Sequence, residues 1–130
     1  MKKLALLGVV AAAAWLVAKL RPFRFEVEGR SMGPALEPGD WAVALRYQDP
    51  RAGEVVVVEH PHRPGYEMVK RLTAGPGGKV DGRVLDADEW WIEGDADAST
   101  DSRAFGPVSR AAIRGRVKAV YWPFERIRAL

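Results

Sequence analysis

Two patterns of apolar and polar positions divide the chain. Lys2-Lys3 is followed by fifteen uncharged, mostly apolar residues from Leu4 to Ala18, and then by Lys19, Arg21 and Arg24. A run of that kind predicts a hydrophobic helix over the first twenty residues. From Phe23 the period shortens to two. Phe23, Phe25, Val27, Gly29 and Ser31 share one face, and Arg24, Glu26, Glu28 and Arg30 share the other, which predicts a half-buried strand ending at Ser31. Two prolines and two glycines between Ser31 and Asp40 then predict a turn into a second strand, Trp41 to Tyr47. A third strand is expected from Glu54 to Glu59, through Val55-Val56-Val57-Val58, and a fourth from Tyr66 to Thr73. In the fourth, Tyr66, Met68, Lys70 and Leu72 fall together, so Lys70 points with the apolar set. Shorter strands are expected at Arg83 to Asp86, Glu89 to Glu93 and Ile113 to Tyr121, with a helical turn around Val108 to Ala112. The sum is a mostly β fold: an N-terminal hydrophobic helix, then a compact, mainly antiparallel β domain. No strand alternates with a long amphipathic helix, which excludes a doubly wound sheet.

At 130 residues this is one domain, residues 21–130, behind an anchor, residues 1–20. The apolar run is short for a bilayer core, which takes about 20 residues, so Lys3 and Lys19 must extend their ammonium groups outward for it to span. A cleaved signal peptide is the alternative. It is disfavoured because a cut after Ala18 would put bulky Leu16 at the third position before it, where a small side chain is needed, and Ala12-x-Ala14 lies inside the apolar run. Basic residues flank both ends, so charge does not fix orientation.

Composition narrows the chemistry. With no cysteine there is no disulfide, thiolate nucleophile or Cys-based zinc site. His60 and His62 lie in a proline-broken turn, which argues against a metal site and a His-based triad, and no cofactor is called for. The net charge of +3 comes from basic residues scattered among acidic ones, so nucleic acid is not an expected partner. From Arg21 onward there are fourteen arginines but only three lysines, Lys70, Lys79 and Lys118. Where arginine is the ordinary surface cation, an inward lysine points to something arginine cannot do, such as losing its proton near neutral pH.

Ser31 and Lys70 suit one another on that basis. A serine hydroxyl needs a neighbouring base to attack a carbonyl, and lysine can be that base once desolvation on an apolar face lowers its pKa. Taken singly, Ser31 reads as a turn residue and Lys70 as a side chain at a strand edge with its amine in solvent.

The local sequences tip this balance. Gly29-x-Ser31-Met32-x-Pro34-x-Leu36-x-x-Gly39-Asp40 resembles the nucleophile motif of type I signal peptidases, and Gly53-Glu54-Val55-Val56-Val57 resembles the strand after it. Val69-Lys70-Arg71-x-x-x-x-Pro76-Gly77 is similar to the segment holding the family's general-base lysine. Gly94-Asp95-x-x-x-Ser99-x-Asp101-Ser102-Arg103-x-Phe105-Gly106-Pro107-Val108 is similar to its last motif. Together the four cover roughly Phe25 to Val117. The resemblance implies a fold of the signal-peptidase/LexA-like type and a membrane-anchored serine endopeptidase that removes a signal or pro-segment from a precursor protein, cutting after a small residue. Ser31 would attack, Lys70 would take the proton, Ser99 would hold the lysine amine, Asp101 and Arg103 would brace that loop, and Met32 would support the nucleophile. Partners would be the precursor and membrane lipid, with the catalytic domain on the extracytoplasmic side of the cell membrane. From residue types alone Asp101 and Arg103 read as a surface ion pair of small worth.

Three positions depart from the family pattern. Gly29 lacks the hydroxyl that completes the oxyanion hole in some relatives, Ala96 replaces an asparagine, and Gly78 replaces an aspartate. The stretch from Lys70 to Gly94 leaves no room for a large extra β domain, a brevity similar to mitochondrial inner-membrane peptidases and to the maturation proteases of nickel-containing superoxide dismutase. A dedicated maturation protease is therefore the alternative. A LexA-like self-cleaving protein fits less well, since Ala52-Gly53 lies downstream of Ser31. An inactive anchored binding module is disfavoured by the presence of both Ser31 and Lys70. Trp90-Trp91 and Trp122-Pro123-Phe124 read first as core and turn packing, and second, by the resemblance, as aromatic groups touching the bilayer.

Overall fold

The structure, a computed structural model, describes residues 1–46 and 49–130. Helix α1, Lys2–Leu20, has no buried residue, and it is long and apolar enough by length and composition to cross a membrane. At about 1.5 Å per residue it reaches about 28 Å. It ends at Arg21, whose backbone turns left-handed (φ 45°) and donates its N–H to the Val17 carbonyl.

The strands are β1 (Pro22–Glu26), β2 (Trp41–Leu45), β3 (Val55–Glu59), β4 (Glu67–Ala74), β5 (Lys79–Val80), β6 (Arg83–Val84), β7 (Trp91–Glu93), β8 (Ile113–Trp122) and β9 (Arg128–Ala129), with a short helix α2 at Ser102–Phe105. Seven of them form one antiparallel sheet in the order β1-β2-β8-β3-β4-β7, with β9 added to β8. β5 and β6 form a separate hairpin.

β3 is central, and its four valines are all buried because both faces are covered. Val55 and Val57 join Val27, Met32, Leu36, Ala42, Ala44, Val117 and Val120 on one side. Val56 and Val58 join Met68, Leu72, Ile92, Val108 and Ile113 on the other. Met68, Lys70 and Leu72 of β4 are buried on one face as their alternation predicts, although Tyr66, just before the strand, is exposed.

Several boundaries differ from the sequence pattern. β1 stops at Glu26 rather than running to Ser31. Beyond it Val27 donates to the Asp40 carbonyl and accepts from Gly39 N–H, and among the described residues no strand pairs with residues 28–31. The expected end of β2 at Tyr47 lies outside the described residues. The turn expected at Val108 to Ala112 is a 3₁₀ turn at Arg110–Ala112, and α2 and β9 follow no period in the sequence. Trp90 and Trp91 are half-buried, Trp90 packing against the second core. Trp122 and Phe124 are not core residues: they are exposed and meet edge to face, ring centroids 5.1 Å apart.

Candidate active site

Lys70 is brought inward by register. It lies opposite Val56, in the strand buried on both faces, and is 4% exposed. Its Nζ donates to Ser99 Oγ at 2.9 Å. Burial lowers the pKa of this amine; the Asp101 carboxylate partly opposes that, and Arg103 adds to it.

Ser99 lies beside Asp101 and helps to hold its carboxyl low. Asp101 is fully buried, and its carboxylate accepts from Gly94 N–H at 2.8 Å, from Arg103 N–H and Nε at 3.0 Å, and from Arg103 Nη2 at 2.6 Å. Burial alone would raise the pKa of Asp101. The Arg103 guanidinium, the converging N–H donors and Ser99 outweigh burial and hold the carboxyl well below the usual carboxylate range. The surface-pair reading of Asp101 and Arg103 is thus corrected: Arg103 is half exposed, but Asp101 is a buried hub and also the N-cap of α2.

Ser31 opens the turn that follows β1. Its carbonyl accepts from Ala96 N–H at 2.8 Å, which ties it to the loop carrying Ser99. Gly94 fixes the relation more closely. Glu93 lies opposite Arg71, so the next residue, Gly94, falls beside Lys70. A Cβ on Gly94 would stand 2.2 Å from Ser99 Oγ and 2.6 Å from the Ser31 carbonyl oxygen. The Ser31 backbone and the Ser99 hydroxyl therefore occupy one small volume over the face of the sheet on which Lys70 is buried. Ser31 and Lys70 both line a groove of about 650 Å³, together with Phe25, Val27, Gly29, Met68 and Ala98. Met32 is buried beneath the turn with Leu36, whose N–H bonds the Met32 carbonyl.

Gly94, Asp40 and Ser102 carry no role that the residue pattern alone reveals. Ser102 is buried, and its hydroxyl accepts from Ile92 N–H at 2.9 Å, joining α2 to β7. The Asp40 pairing with Arg126, 86 residues away, left no local signal.

The family model described as signal peptidase, peptidase S26, matches residues 1–86 and 81–122. The chain belongs to this family. Mitochondrial ATP-independent inner membrane protease subunit 1b of Arabidopsis thaliana is 36% identical over 116 residues, 75% of this chain and 68% of the relative. Mitochondrial inner membrane protease subunit 2 of Schizosaccharomyces pombe is 33% identical, over 77% of this chain and 64% of the relative. Mitochondrial inner membrane protease subunit 1 of Xenopus tropicalis is 37% identical over 84 residues, 56% of this chain and 50% of the relative. The chain thus spans between half and about two thirds of the length of these peptidase S26 relatives.

The Asp101 hub makes one stability prediction. Its folded pKa lies below the unfolded value near 3.8, so its contribution is complete above that pH and is lost as pH falls through the folded pKa. Asp101→Asn should unfold more easily in urea at pH 7 by about 2 kcal/mol. The gap should narrow below about pH 4; a gap that persists unchanged there would assign the loss to something other than charge.

Proposed function

We propose that this peptidase S26 chain is a membrane-anchored serine endopeptidase in which Ser31 is the nucleophile and Lys70 the general base. It removes a signal or pro-segment from a precursor protein by cutting after a small residue. The observation that carries the reading is the buried Lys70 amine, bonded to Ser99 and lining the same groove as Ser31.

A neutral amine has two N–H donors and one lone pair. Ser99 takes a donor, which leaves the lone pair for the Ser31 hydroxyl proton. As that proton moves to Nζ, Ser31 Oγ bonds the scissile carbonyl carbon. The oxyanion that forms is met by the Ser31 N–H, and a donor of this kind contributes about 3 kcal/mol. The peptide C–N bond then breaks, and Lys70 passes its proton to the leaving amine. Water next attacks the acyl-serine. Lys70 takes one proton of that water and returns it to Ser31 Oγ as the new carboxylic acid leaves and gives its remaining proton to solvent. Ser99 holds the lysine through each transfer, and Asp101 with Arg103 holds Ser99.

The segment 1–20, which holds helix α1, anchors the catalytic domain, residues 21–130, to the lipid of a cell membrane with the groove on its extracytoplasmic side. The apolar helix and relatives named for an inner membrane support the membrane attachment. An extended precursor segment suits a groove bounded by the edge strand β1 on one side and Met68 and Lys70 of β4 on the other.

The test is cleavage of a precursor peptide bearing Ala-x-Ala before the cut by the full chain in detergent, with mass spectrometry locating the bond. We expect a single cut after the second alanine, loss of cleavage when that alanine becomes Phe, and none by Ser31→Ala. Cleavage by Ser31→Ala at the wild-type rate would overturn the assignment of the nucleophile.

A further inference from the structure

Residues 27–40 form a loop closed at its base and carrying Ser31. The closure is made by Val27 with Gly39 and Asp40, at 2.8 Å each way. Asp40 is 1% exposed, and both its oxygens are used. Oδ2 accepts from Glu37 N–H at 3.0 Å, inside the loop, and Oδ1 accepts from Arg126 Nε at 2.7 Å, from the turn after β8. Arg126 Nη2 also reaches the Pro34 carbonyl at 3.4 Å, three residues after Ser31, and Arg128 Nη2 reaches the same oxygen at 3.5 Å. The segment after β8 therefore grips the loop at its end and at its middle, while Ala96 holds Ser31 from the other side.

Resting on the reading of Ser31 and Lys70 above, we infer that the Asp40–Arg126 pair is a positioning device for the nucleophile: it sets where the loop lies on the sheet, and so where the Ser31 hydroxyl stands relative to Lys70. The two partners are not equivalent. Without Asp40, Arg126 is 30% exposed and can turn to water. Without Arg126, a buried carboxylate keeps the Glu37 N–H and the more distant charge of Arg128, and it reaches water by lifting the loop, because a buried charge stripped of its bonded partner is costly. A displacement of about 1 Å at a reacting group lowers rate by about a hundredfold.

The experiment follows acylation of Ser31 by a p-nitrophenyl ester, read by mass spectrometry, and kcat and KM on the Ala-x-Ala peptide, with the full chain in detergent. Arg126→Gln should lower the acylation rate and kcat by about a hundredfold and leave KM within about twofold. Arg126→Lys should restore part of the loss. The double variant Asp40→Asn with Arg126→Gln, which buries no lone charge, should be faster than Arg126→Gln alone. Circular dichroism establishes that each variant is folded, and Asp40→Asn serves if Arg126→Gln is not. Wild-type acylation in a folded Arg126→Gln, a loss confined to KM, or a double variant no faster than the single one would overturn this inference alone. A wild-type chain not acylated at Ser31 would instead overturn the catalytic reading beneath it.

Discussion

Lys70→Met should cost the protein about a thousandfold or more in peptide cleavage, the range a positioned general base supplies, while making it harder to unfold at neutral pH. Both effects follow from one fact: Lys70 is 4% exposed, opposite Val56 and between Met68 and Leu72 on its strand. Burial lowers its pKa from the ordinary 10.5, and the pull of Asp101 only partly restores it. Between the folded pKa and the unfolded one, the unfolded chain binds more protons at this position, so wild-type stability rises with pH across that window. Methionine has no proton to lose and removes that slope. It also removes the cost of burying an amine, worth on the order of 1 kcal/mol at pH 7. Activity should rise with pH as Lys70 loses its proton, giving a rising limb in kcat/KM below 10.5. Urea unfolding of both proteins across pH 6 to 10, beside the pH–rate profile, checks the three statements together. A folded Lys70→Met that still cleaves would remove Lys70 from the mechanism.

What the sequence could tell depended on how local each cause was. The alternation through Met68, Lys70 and Leu72 is a property of one strand, and it placed Lys70 correctly. The four valines of β3 show what their unbroken run means, since both faces are covered. The same alternation overran at β1, because period two says which face a residue would use and not whether a partner strand lies beside it. Asp101 read as a surface group because two of its neighbours, the Gly94 N–H donor and Ser99, come near it only as the loop folds back. Asp40 carries no local signal because Arg126 is 86 positions away. Trp122 and Phe124 read as packing groups from residue type alone, yet the end of β8 carries them to the surface. The resemblance supplied Ser99 and the brace at Asp101 and Arg103, which no periodicity could.

Gly94→Ala should lower kcat about a hundredfold, although one methyl group is all it adds. A Cβ at this position would lie 2.2 Å from Ser99 Oγ, 2.6 Å from Ser99 Cβ and 2.6 Å from the Ser31 carbonyl oxygen, so something must move. Neither neighbour is free to do so harmlessly. Ser99 is held between Lys70 and Asp101, and the Ser31 carbonyl is held by Ala96 N–H. Whichever yields, the serine and the lysine separate, and a shift of about 1 Å lowers kcat by about a hundredfold with little change in KM. Overpacking of this kind also lowers stability by about 1–3 kcal/mol. Removing the Ser99 side chain separates the two effects. Gly94→Ala with Ser99→Gly should recover stability in urea, because two of the three close contacts are gone, but not kcat, because the methyl still meets the Ser31 carbonyl and Lys70 has lost its hydroxyl partner. Wild-type kcat in a folded Gly94→Ala would mean that the Ser31 backbone does not sit against this glycine, and the geometry joining Ser31 to Lys70 would have to be redrawn.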